Sequence, residues 1–337
     1  MNIFKQIYRL LAVGAVMLCA SCSVIYDDSD SCEVSLQFIY DHNMEYADAF
    51  NPQVNSVDVY VFNNEGTYLF KKTSQRVELT DGNKMILTGD LTPGTYKILT
   101  VGGLSNSFTV SDASGNSSLT PGAFNLEEMK ITLMRNTSVV NDEFPSLWFG
   151  KSIVITHDNQ ERTWPVQLIK ETNEINISLI NQSQSSENNE NMQRAAHPYS
   201  FEIITPEGAV YSWENSPLSN ETVTYTPYQT DTDNDGVSTA RIKTCRLFDT
   251  DQYKLVIRNQ VTSELVWEYD LIKLLKYSKP SSRPDGTLLP AQEYLDRQST
   301  WNLVIRHKGG ADEDGDAFVA LAVEINGWIL WLNSIDF

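Results

Sequence analysis

Val57-Asp58-Val59-Tyr60-Val61-Phe62-Asn63-Asn64-Glu65-Gly66-Thr67-Tyr68-Leu69-Phe70 decides the fold. Successive side chains of a strand point to opposite faces, so Val57, Val59 and Val61 share one face while Tyr60 and Phe62 fill the other. Apolar groups on both faces mark a central strand covered on both sides. Asn63-Asn64-Glu65-Gly66 then makes a hairpin turn into Tyr68-Leu69-Phe70, because Asn and Gly tolerate the positive φ that tight hairpins need. The pattern repeats in both directions along the chain. Upstream, Val34, Leu36, Phe38 and Tyr40 fall on one face. Downstream come Met85-Ile86-Leu87, the strand Thr95 to Val101 behind a Thr92-Pro93-Gly94 turn, and Met129 to Leu133, with Gly102-Gly103 read as a strand-end turn. Strands spaced roughly every 10–15 residues between turn signals, with no helical period of useful length, specify an all-β, antiparallel sandwich.

The second half carries its own series. Val166, Leu168, Ile175, Ile177 and Leu179 keep strand period, and Asn181 to Gln193 is almost wholly Asn, Gln, Ser and Glu, too polar to offset its ordering entropy and therefore a mobile loop. Strands follow at Phe201-Ile203, Val223-Tyr225, Leu255-Ile257, Trp301-Leu303-Ile305 and Val319-Leu321-Val323-Ile325. Asp270 followed by Leu271-Ile272-Lys273-Leu274-Leu275-Lys276 is the one short helix, with Asp as its cap. The chain ends on the apolar Ile329-Leu330-Trp331-Leu332, which fits a strand covered on both faces, inside its own sheet or between two subunits. With 337 residues, 41% hydrophobic, the chain has room for two domains: 33–164 and 165–337.

Before these domains lies a secretory signal, residues 1–21. Lys5 and Arg9 form its positive region, and Leu10 to Leu18 is an apolar run far shorter than the roughly 20 residues needed to span a bilayer. Ala20 and Ser21 directly before Cys22 resemble a bacterial lipobox, with cleavage after Ser21 and a diacylglycerol thioether plus an N-acyl chain on Cys22. The alternative is an ordinary signal in which Cys22 is incidental. Cys19 and Cys22 also form a Cys-x-x-Cys pair, but in a disposable segment rather than at the start of a helix inside a domain. Residues 22–32 are a polar, acidic tether whose Asp27, Asp28 and Asp30 read either as a surface-export signal or as solvated linker charge. Cys32 and Cys245 are free to pair in an oxidising compartment or to remain lone thiols.

A formal net charge of −19 argues against nucleic acid and against charge-driven adhesion to anionic membranes, so membrane contact has to come through lipid. Asp231, Asp233 and Asp235 before Gly236 set oxygens at alternate positions as calcium loops do, but Ile242 stands where the bidentate Glu belongs, and a solvated acidic turn is the competing reading. Gly310 to Asp316 is a second acidic hairpin tip. His42, His157, His197 and His307 are scattered, with no zinc-holding pair, nucleophile elbow or phosphate loop. Asp296 beside Arg297 reads as an acid next to an electrophile or, more simply, as a structural salt link. Trp328 and Trp331 can stack on sugars or fill a core or interface. No catalytic constellation assembles, and neither a cofactor beyond the covalent lipid nor a small-molecule substrate is expected.

The chain resembles the FimB-like fimbrial anchor lipoproteins, or minor-fimbria anchoring subunits. The resemblance runs from Cys22, Ile25-Tyr26-Asp27-Asp28 and Cys32 through Phe38 to Phe50, Val57 to Phe62, Gly66-Thr67-Tyr68, Pro93-Gly94-Thr95-Tyr96 and Leu147-Trp148-Phe149-Gly150. It returns at Glu293 to Arg297 and Ile325-Asn326-Gly327-Trp328. It implies two transthyretin-like β-sandwich domains in an outer-membrane lipoprotein that roots a fimbria at the cell surface and can limit its length. Strand complementation with fimbrial subunits is the expected contact, because an edge or groove then gains a full ladder of main-chain hydrogen bonds. A surface glycan-binding lipoprotein and a lipid-anchored hydrolase are the competing functions.

Overall fold

The structure, a computed structural model, describes residues 33–182, 199–232, 237–249, 252–308 and 318–332. Cys22, Ser21, the Asp27, Asp28 and Asp30 cluster, Cys32, Asp233, Asp235, His197, the acidic tip at 310–316 and most of the polar 181–193 stretch lie outside those residues.

Among the described residues the chain forms 21 strands and three short helices. The first half contributes β1 (Val34–Ile39), α1 (Phe50–Gln53), β2 (Ser56–Asn63), β3 (Tyr68–Gln75), β4 (Lys84–Ile86), β5 (Gly94–Gly102), β6 (Phe108–Ser111), β7 (Lys130–Leu133), β8 (Val139–Val140), β9 (Trp148–His157) and β10 (Arg162–Lys170). Its main sheet has seven strands in the order β3-β2-β5-β9-β10-β1-β4. Beside β2 on either side run β3 and β5, and both of its faces are buried, as its two-sided apolar pattern requires. Val57, Val59 and Val61 join one core with Leu36, Phe38, Ile98 and Leu168, while Tyr60 and Phe62 join the other with Leu99, Phe108 and Ile131. The Asn63 turn closes as expected: Gly66 takes φ +94°, and Thr67 N donates to Asn63 Oδ1 at 2.8 Å.

The second half contributes β11 (Thr172–Asn181), β12 (Tyr199–Thr205), β13 (Val210–Ser212), β14 (Val223–Tyr225), β15 (Gln229–Thr232), β16 (Ser238–Cys245), β17 (Lys254–Asn259), β18 (Leu265–Asp270), α2 (Leu271–Lys276), α3 (Ala291–Arg297), β19 (Thr300–Lys308), β20 (Val319–Ile325) and β21 (Trp328–Trp331). Six strands, β15-β16-β11-β19-β20-β21, face five, β18-β17-β12-β14-β8, and their inner residues, such as Ile175, Leu303, Phe201 and Leu255, meet in one core. Helix α2 starts where the sequence places it, with Asp270 Oδ1 accepting from Lys273 N at 2.9 Å. Helices α1 and α3 are additions to the sequence reading. The ladders are mostly antiparallel, with three parallel pairs: β1–β10, β11–β19 and β8–β14.

The two halves are interlaced. β8, from the first half, pairs with β14 at the edge of the second-half sheet, and β13, from the second half, pairs with β7 to make a three-stranded sheet β13-β7-β6. Position 164, the expected end of the first domain, falls inside β10, whose partners β1 and β9 both belong to the first sheet. The chain passes from one sheet to the other at Glu171.

Candidate functional site: the last strand as a docking edge

β21 is the outermost strand of the six-stranded sheet, in register with β20 from Ile325 opposite Trp328 to Ala322 opposite Trp331. Asn326 and Gly327, with φ of 47° and 88°, form the two-residue turn that this reversal needs. The turn is tied to β19: Asn326 Oδ1 accepts from Asn302 N at 2.8 Å, and Asn326 N donates to Asn302 O at 3.0 Å.

The side chains of β21 divide unevenly. Leu330 packs on the core and Leu332 just beyond is buried, whereas Trp328, Ile329 and Trp331 are 65%, 55% and 58% exposed. The sequence expectation of a strand covered on both faces is thus met on one face only within this chain. Among the described residues no other strand carries three exposed large apolar side chains. Ile329 stands opposite Glu324, whose carboxylate pairs with Arg306 at 3.6 Å, so an ion pair borders the apolar strip. In a hairpin with a two-residue turn the flanking pair is hydrogen-bonded and pairs alternate from there. Ile329 therefore turns its N–H and C=O away from β20, toward the open side of the sheet.

Three other edge strands carry charge. β15 at the far side of the same sheet reads Gln229-Thr230-Asp231-Thr232, with Asp231 Oδ1 engaged by Thr232 N at 2.9 Å; β3 carries Lys71 and Lys72, and β18 carries Glu268 and Asp270. Charged and polar edges resist pairing with a second chain. β21, by contrast, combines an uncharged edge with three exposed large apolar side chains.

The remaining candidates resolve into structural roles. Asp296 and Arg297 do not pair with each other. Asp296 is clasped by Arg246 through two bonds of 2.7 and 2.8 Å, and Arg297 binds Glu293 at 2.8 Å. Arg297 also donates to the backbone carbonyls of Asp41 and Asn43, at 3.0 and 3.2 Å, and lies 4.3 Å above the Tyr46 ring. Arg283 completes the cage around Glu293, and hydrogen bonds from both guanidinium groups, Arg283 first, pull its carboxyl down to about 2. Helix α3 thereby clamps a first-half loop to the second half. Cys245 is a buried free thiol, pushed up to about 12 by burial beside the Tyr225 and Tyr211 hydroxyls. No group of three or more His, Cys, Asp or Glu able to hold a metal occurs among the described residues. A cleft of about 280 Å³ at the start of α2 is lined by charged residues such as Lys254 and Glu268, and these two pair across it at 2.7 Å. What the sequence reading lacked was the Glu171–Asn215–Arg246–Asp296 cluster, whose members are remote in sequence and carry no local signal.

An all-β chain with an uncharged, apolar edge strand, and with its prominent acid–base pairs committed to structural contacts, has the build of a binding or assembly protein. Residues 28–334 match the family model of the fimbrillin-A associated anchor proteins Mfa1 and Mfa2, and the chain belongs to that family. A crystal structure of a candidate adhesin from Bacteroides ovatus is 43% identical, with 90% of this chain and 96% of that one covered and a TM-score of 0.79. A candidate polysaccharide-binding protein from Bacteroides thetaiotaomicron is 27% identical over 90% of this chain and 99% of that one, with a TM-score of 0.75. The fimbrial anchor protein Mfa2 from Porphyromonas gingivalis shares the fold at 15% identity, over 89% of this chain and 98% of that one, with a TM-score of 0.64. No curated protein matches the chain.

Proposed function

We propose that this protein is an outer-membrane lipoprotein, acylated at Cys22, that anchors a fimbria to the cell surface and binds a fimbrial subunit along β21. The observation that carries the reading is the uncharged edge with exposed Trp328, Ile329 and Trp331, on a chain of the anchor family. A strand laid against that edge gains main-chain hydrogen bonds at Ile329 and buries its alternate side chains on the apolar strip. A base subunit that offers one such edge takes part in a single junction, which fits a role in limiting length. Acyl chains contribute about 0.8 kcal/mol per buried CH₂, so the three expected on Cys22 hold the protein on the membrane nearly permanently.

A second reading, surface glycan binding, draws support from the exposed Trp328 and Trp331 and from the description of the 27% identical relative. Three positions apart on a strand, however, the two indoles stand on opposite faces and do not make one flat platform. Purification from cells separates the readings. Polymerised subunits that co-purify with the wild type, and membrane release with shedding of fimbriae from Cys22→Ala, support the anchor. Monomeric protein retained on polysaccharide, with no subunits attached, overturns it.

A further inference from the structure

Glu171 is the single residue between β10 and β11, and its side chain is buried where the two halves join. Its Oε1 accepts from Asn215 Nδ2 at 2.7 Å, while its Oε2 accepts no hydrogen bond from the described residues. Asn215 lies in the turn after β13, the strand that the second half lends to β7, and holds a left-handed φ of 62°. Arg246 Nη1 donates to the Asn215 carbonyl at 2.8 Å and spends its Nε and Nη2 on Asp296 of α3. Through Arg297, α3 grips the loop at Asp41 and Asn43. One connected network thus runs from the crossover residue through the exchanged strand to the clamp helix.

Burial, rather than the nearby charges, is what disfavours ionisation of Glu171. Arg246, after β16, favours the carboxylate and Asp296, on α3, opposes it. Tyr211 on β13 and Cys245 at the end of β16 also face it, both kept neutral by burial. Among the described residues Glu171 makes no ion pair, because the fork of Arg246 is already turned to Asp296.

We propose that Glu171 is a proton-operated latch: neutral, it holds the Asn215 turn against the junction, and ionised, it drives that turn open so that water reaches the charge. Burial, outweighing Arg246 and the Asn215 bond, pushes the Glu171 carboxyl up to about 7 in the closed form. An exposed Glu titrates near 4.3, so the closed form binds its proton more tightly. Closure is therefore strongest in acid and weakens as pH rises through about 7.

Hydrogen exchange on the full chain tests this at the Asn215 and Leu218 amides, which donate to Ser212 O and Val210 O across the turn. After correction for intrinsic chemistry, opening there should rise about tenfold or more between pH 5.5 and 8.5. Glu171→Gln should stay flat across that range. Asp296→Asn removes the opposing charge and releases Arg246 toward Glu171, so it should move the midpoint to lower pH. A wild-type profile without pH dependence, or Glu171→Gln exchanging like the wild type, overturns the latch. If Glu171→Gln does not fold, an unmoved midpoint in Asp296→Asn overturns it instead.

Discussion

Gly103 directly follows β5 with φ +69°, in the left-handed region. A Cβ added there meets the Ser146 carbonyl at 2.7 Å and the Trp148 ring at 2.9 Å, neither of which can withdraw easily because Trp148 begins β9 and is buried. Gly103→Ala should therefore lose about 2–4 kcal/mol, combining left-handed strain with overpacking. Urea unfolding of the variant checks it, and an unchanged midpoint would show that the strand end shifts freely. The turn at Gly102-Gly103 was legible because glycine pairs punctuate strands whatever surrounds them, and the Asn63 turn was legible for the same local reason. Long-range partners are another matter. Nothing near Arg297 in the sequence announces the carbonyls of Asp41 and Asn43, which the fold brings to 3.0 and 3.2 Å. Glu171 likewise looks like any exposed Glu between two strands until Asn215 and Arg246 are seen to enclose it.

The elements divide along the same line. Helix α2 has a cap and an apolar stripe that buries Leu271, Ile272, Leu274 and Leu275, so its pattern shows before its packing does. Helix α3 buries Tyr294, Leu295 and the charged Asp296 together; a buried carboxylate breaks the hydrophobic stripe, and only its Arg246 partner explains it. β21 was legible as a strand but not as a half-covered one, because a run of four apolar residues does not say which face a neighbour will reach. That difference sets a prediction. Ile329→Glu with Trp331→Glu alters two exposed positions, so stability should shift by about 1 kcal/mol or less and the strand should stay paired with β20. Co-purification of fimbrial subunits should nevertheless fall sharply, since charges would line the docking edge. Subunits retained at the wild-type level by the folded double variant would remove β21 from the interface.

For the whole molecule, exchange of β8 and β13 decides how many cooperative units there are. The tandem repetition of strands suggested two domains, and their two sandwiches are present, yet one buried cluster runs from Tyr60 and Leu99 of the first half to Leu303 and Ile325 of the second. β7 lacks an outer partner without β13, and β14 lacks one without β8, so neither half can complete its sheets alone. Exposing such edges leaves unpaired backbone groups beside apolar surface, which costs stability and invites aggregation. The α3 clamp adds polar joints across the same boundary, from Arg297 to the carbonyls of Asp41 and Asn43. Residues 22–337 should then melt in one transition, with calorimetric and van't Hoff enthalpies equal, the signature of a single cooperative unit. Segments 33–170 and 171–337 expressed separately should aggregate or fail to show a cooperative melt, and should recover when produced together. Two resolved transitions in the intact chain, or a separate half that melts cooperatively on its own, would show that the exchanged strands are decoration on two independent sandwiches.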